Sequence, residues 1–170
     1  IWARAEGLKI PFVYNCGGYE NPDIIKMLEG MVEIYLPDFK YGLEEDGIMF
    51  SSAPQYPRFA LDSIKEMVRQ VGDGLELNKG VAEKGIIIRH LVLPGRIENS
   101  KEVLRLLKKE ISTNVFLSLM SQYTPIAKVR HHPHLKRRIT RHEYEQVTDY
   151  ALKLGFENIF FQDVNDHEMT

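Results

Sequence analysis

The residues with most chemical potential are Asp38 and Lys40, two apart at the end of an apolar run, and Arg89, directly after three isoleucines. Two further stretches have the same character: Asn15-Cys16-Gly17-Gly18 and Gln122-Tyr123-Thr124-Pro125 each follow an apolar run. If the runs are strands of one parallel sheet, all four ends lie on one rim. Carboxylate, ammonium, guanidinium, amide and phenol groups then converge there. Such a rim suits a zwitterionic, hydroxyl-rich ligand, whose carboxylate meets the cations and whose ammonium or ribose meets the carboxylate and amides.

Each residue also has a plainer reading. Asp38 and Lys40 would share a face of a continuing strand and could form a solvated ion pair. Arg89 sits where a guanidinium needs partners, whereas His90 points to the opposite face and packs between sheet and helix. Tyr123 could be a core aromatic with a satisfied hydroxyl. Gly17-Gly18 says that the backbone turns tightly or approaches something closely.

His131-His132-Pro133-His134, with His142 nearby, has poor spacing for a metal, because adjacent histidines separated by proline rarely aim at one ion. The segment from Lys128 to Arg138 reads as a solvated basic loop. The single Cys16 excludes an internal disulfide and fits a reducing cytoplasm.

The pattern that would position these residues runs the length of the chain. Apolar runs at Lys9–Tyr14, Val32–Leu36, Ile86–Ile88, Val115–Met120 and Asn158–Phe161 are separated by four helix signals. Asn21-Pro22 opens the first helix. Ala60, Ile64, Val68 and Val71 share a face of the second, which Gly72 closes. Ser100 is the expected cap of the third, with Val103, Leu106, Leu107 and Ile111 as its inner stripe. Thr140 and Glu143 form a capping box for the fourth, which buries Tyr144, Val147, Ala151 and Leu154. Leu75–Ala82 adds a small hairpin or loop, and residues 41–56 and 121–139 are long connections after strand ends. Strands with little polar alternation, regularly spaced by amphipathic helices, indicate an α/β fold with a parallel sheet, in a single domain over residues 1–170. A net charge of -2 over 170 residues gives no pull toward nucleic acid or an acidic membrane. No apolar run approaches a membrane span.

Four motifs in order carry a resemblance: Val13–Glu20, Tyr35–Tyr41, Arg89–Gly95 and Ser118–Pro125. Together they resemble the pyruvate formate-lyase activating enzyme group of radical S-adenosylmethionine (SAM) proteins, in a sub-branch of activase homologues, from Ile1 to about Phe161. The resemblance implies a partial (β/α) TIM-type barrel that binds SAM and a 4Fe–4S cluster. It implies cleavage of SAM to a 5′-deoxyadenosyl radical that abstracts hydrogen, in activases from a backbone glycine of a partner enzyme. Asp38 and Lys40 match an Asp-x-Lys beside the methionine moiety, and Arg89 matches a strand arginine contacting the same region. Tyr123 stands where the activases place a histidine near the adenosine. Asn15-Cys16 matches an Asp-Thr that helps hold a monovalent cation there. The amide removes a charge, so that cation is not carried over.

The family's C-x-x-x-C-x-x-C loop has no counterpart here, and Cys16 follows a different strand. Nor is there a counterpart of the glycine-rich motif that holds the SAM amino group. Trp2–Gly7 reads as the last turn of a helix closed by Gly7. The chain is thus expected to be the C-terminal part of a barrel, inactive alone, with an open sheet edge that could pair two copies. Implied partners are a protein substrate, such as a glycyl radical enzyme, and an electron donor. The alternatives are a non-catalytic barrel binding a nucleotide-like ligand or a partner chain, and an aldolase-like enzyme using Lys40 as nucleophile. Asp38 beside Lys40 favours the charged amine and works against the last.

Overall fold

The structure, a computed structural model, describes residues 2–129 and 132–164; His131 of the histidine-rich segment lies outside them. The opening turn of helix, α1 (Trp2–Ala5), closes as its sequence predicts. Gly7 has φ 95°, its amide donates to Arg4 O at 3.0 Å, and Leu8 N donates to Ala3 O at 3.0 Å. These two bonds satisfy carbonyls that a helix end leaves open.

The first strand starts later than the apolar run suggests: β1 is Val13–Cys16. Pro11 has no amide to give, and Phe12 N donates to the Glu33 carboxylate at 2.7 Å instead of joining a ladder. Asn15 and Cys16 therefore belong to the strand, and only Gly17-Gly18 forms its exit. Helix α2 (Pro22–Met27) begins at Asn21, whose Oδ1 accepts from Asp23 N at 2.9 Å. Strand β2 (Ile34–Pro37) follows.

The long connection after β2 holds an unforeseen helix, α3 (Glu44–Ser51). It lacks a continuous apolar stripe, and its signature is the run Glu44, Glu45, Asp46 in the first turn, favourable at a helix N-terminus. Helix α4 (Tyr56–Val71) ends at Gly72, and buries Ala60 and Ile64 completely. Strand β3 (Leu75–Asn78) pairs antiparallel with the start of β4 (Val81–Leu91), which realises the hairpin.

Helix α5 (Ile97–Glu110) starts at Arg96, so Ser100 is not its cap. Ser100 lies inside the helix, fully buried, with its hydroxyl on His90. Strand β5 (Phe116–Met120), helix α6 (Arg141–Leu154) with the expected Thr140–Glu143 capping box, and the short strand β6 (Ile159–Phe160) complete the order.

Five strands run parallel in the order β1-β2-β4-β5-β6, with β3 added to β4. The fold is therefore α/β with a parallel sheet. Neighbours in space are neighbours in sequence, and right-handed crossovers then place the intervening helices on one face. Burial agrees: Tyr35, Ile86, Ile88, Leu117 and Leu119 are fully buried, while Asn15, Leu36, Ile87, Arg89, Phe116 and Ser118 on the other face are exposed or half-buried. Burying each large apolar side chain contributes about 1.5–3 kcal/mol, so the helix-covered face carries most of the stability. No helix among the described residues is long and apolar enough to cross a membrane.

Candidate functional site

Strand register brings three of the expected residues together. Asp38 bridges to Arg89 in parallel register just beyond β2, with Phe39 N donating to Arg89 O at 2.8 Å. Asp38 Oδ1 then accepts from Arg89 Nε at 2.8 Å and lies 2.6 Å from Nη2. Its other oxygen, Oδ2, lies 3.4 Å from Lys40 Nζ. One carboxylate thus holds two cations at the carboxyl rim of the sheet. The local surplus of positive charge, with Lys40 more open to solvent than Asp38, suits a ligand carboxylate.

Asn15 lies on the same face one strand away, paired in register with Leu36 and exposed. Tyr123 is placed differently. Its hydroxyl donates to Leu135 O at 2.8 Å across the long connection, and burial raises its phenol above the usual range. Among the described residues it has no hydrogen bond to Asp38, Lys40 or Arg89. At the ends of β5 and β6 a cleft of about 300 Å³ is lined by residues including Ser121, Thr124, Arg138 and Asp163. It shares the rim with Asp38 but does not contain it.

The Gly17-Gly18 exit loop lies directly on the site backbone. Gly18 has φ 81°, and a Cβ there would fall 1.7 Å from Asp38 O. Both readings of the glycine pair hold at this position: a left-handed turn and a close approach. Cys16 packs partly against the core, and burial pushes its thiol up to about 11. It is the only cysteine of the chain, and among the described residues no group of three or more His, Cys, Asp or Glu could hold a metal ion. The described residues thus do not fit an iron–sulfur cluster. They do fit the amino-acid end of SAM, since the Asp38-held cations offer charge for a carboxylate.

Behind the site, His90 is packed between sheet and helix as expected. Its Nδ1 lies 2.7 Å from Phe39 O, a group that can only accept, so Nδ1 carries the proton. Nε2 then accepts from the Ser100 hydroxyl at 2.8 Å. Burial, outweighing the Phe39 carbonyl and the Asp38 charge, lowers the imidazole to about 4. The folded value lies below the unfolded one, about 6.5, so the unfolded chain binds the extra proton between them. Stability therefore falls as pH drops from 6.5 toward 4, by about 2 kcal/mol between pH 7 and pH 5. Glu143 responds lower. The Arg137 guanidinium and the amides of Thr140 and Gly95 hold it at about 2, so its contribution is full above about 4.3 and is lost as pH falls through about 2. Urea unfolding at pH 7 and pH 5 checks the His90 contribution: His90→Asn should lack most of the wild-type difference, and an equal difference in both would refute it.

Sequence reasoning missed Tyr56 and Asn99, which hold the backbone beneath the cations, and the pairing of buried Asp46 with half-buried Arg96. Asn99 left a trace, since it lies one turn before Val103 on the buried face of α5, where a polar residue needs a partner.

No protein-family model matches the chain. It is 30% identical over 152 residues to an uncharacterized protein of Methanocaldococcus jannaschii, covering 89% of this chain and 40% of that protein. It is 26% identical over 134 residues to a lipoyl synthase of Streptomyces griseus, covering 75% of this chain and 40% of that enzyme. With a lipoyl synthase of Histophilus somni the identity is 25% over 146 residues, covering 80% and 45%. The chain spans less than half the length of these curated relatives.

Proposed function

We propose that this chain is a SAM-binding portion of a longer radical SAM enzyme. The observation that carries the reading is the Asp38–Lys40–Arg89 group, assembled by strand register on the helix-free face. The distant similarity to lipoyl synthases, themselves radical SAM enzymes, supports the superfamily. The order of the four strand-end motifs supports a finer place beside the glycyl-radical activases, with a protein as hydrogen donor.

When bound next to a reduced cluster, SAM supplies a 5′-deoxyadenosyl radical that abstracts hydrogen. This chain's part is to bind and orient. Arg89 and Lys40 take the methionine carboxylate, and Asp38 keeps both cations aimed while leaving their net charge positive. Asn15 offers an amide on the same face, and Tyr123 borders the adenosine side of the rim. The cluster ligands belong to the remainder of the longer protein.

Replacing Asp38 by alanine in the full-length protein frees both cations from their common anchor. SAM affinity should fall on the order of tenfold, about 1.4 kcal/mol, by equilibrium titration. Undiminished binding would remove Asp38 from the site.

A further inference from the structure

The segment that carries Asp38 and Lys40 is not held as an ordinary loop. Asp38 N and Phe39 N are tied to the sheet, by Cys16 O at 3.0 Å and Arg89 O at 2.8 Å. Beyond them, a series of peptide groups is taken up by buried side chains from three different elements. The Tyr56 hydroxyl accepts from Lys40 N at 2.9 Å, and its single proton can go to Gly17 O at 3.2 Å or Asp38 O at 3.3 Å. His90 donates to Phe39 O. Asn99 donates to Lys40 O at 3.0 Å, while its Oδ1 accepts from Gly42 N at 2.9 Å and Leu43 N at 3.2 Å. All three side chains come from residues at most 2% exposed.

Filling the core does not require this arrangement. Apolar residues at 56, 90 and 99 could fill the same volume, but they would strip the peptide groups of residues 39–43 of their partners. What the arrangement does is fix the backbone between the two charged residues, so that carboxylate and ammonium point to the rim before a ligand arrives. Preorganisation of this kind lowers the ordering cost of binding.

We propose that Tyr56, His90 and Asn99 are positioning residues for the Asp38–Lys40 turn, set to receive the amino-acid end of the ligand. The proposal rests on the SAM reading of the site. Its selectivity follows from the chemistry: loosening the turn weakens recognition of the ligand's charged end and leaves its nucleoside end alone.

Tyr56→Phe keeps the ring and removes only the hydroxyl. The full-length protein is titrated with SAM and with 5′-methylthioadenosine, which lacks the amino-acid moiety. Tyr56→Phe is expected to weaken SAM binding about tenfold and to change methylthioadenosine binding less than about twofold. Equal losses for both ligands, or no loss for either, would overturn the positioning role. Asp38→Ala in the same titration separates the two ideas. If it leaves SAM binding unchanged, the SAM reading itself fails; if it weakens SAM and Tyr56→Phe does not, only the positioning role fails. Hydrogen exchange on the wild-type protein gives a check that needs no variant. The amides of Lys40, Gly42 and Leu43 should be protected to the level of β2, and exchange at loop rates would overturn the proposal.

Discussion

Arg96→Ala is expected to destabilise the protein by about 3 kcal/mol, the lower part of the range for breaking a buried ion pair. Asp46 is completely buried in α3, and Arg96, just before α5, meets it with two nitrogens: Nε at 2.9 Å and a second contact from Nη2. Removing the guanidinium leaves the buried carboxylate without its counter-charge. Replacing both partners, Asp46→Leu with Arg96→Met, removes the buried charge as well and should recover most of the loss. Urea midpoints for the single and double variants are the measurement. A single variant within about 1 kcal/mol of wild type would show that water reaches Asp46 once Arg96 is gone.

The second large effect falls on the site. Gly18→Ala meets two obstacles: the left-handed backbone costs about 1–2 kcal/mol for a residue with a Cβ, and crowding a packed region costs about 1–3 kcal/mol more. The atom struck is Asp38 O, part of the backbone that presents the carboxylate. A loss of about 2–5 kcal/mol, with impaired ligand binding, is therefore expected. Gly30→Ala is the control, since Gly30 has φ 74° but open space around its missing Cβ. Only the backbone part should appear there. Similar losses for both variants in urea unfolding would mean that the contact with Asp38 contributes nothing.

What could be read from the residues follows a physical division. Parallel strands buried on one face and helices with apolar stripes leave strong patterns, so the α/β order was legible outside the connection that holds α3. Asp38, Lys40 and Arg89 were legible because charged groups at the ends of apolar runs are costly without a purpose. Helix α3 was obscured because it packs through Asp46 and Gly47 rather than an apolar stripe. Ser100 looked like a cap because serine favours helix starts, whereas a tertiary bond to His90 draws it inside the helix. Tyr56 left no local signal, since its role depends on contacts with residues up to 39 positions away.

The most direct measurement is the formation of 5′-deoxyadenosine by the full-length protein, purified without oxygen and given SAM and a chemical reductant. A radical SAM enzyme built on this site releases 5′-deoxyadenosine, and its Asp38→Ala variant releases far less. A protein carrying iron and sulfide that binds SAM yet forms no 5′-deoxyadenosine, or whose Asp38→Ala variant forms as much as wild type, would contradict it.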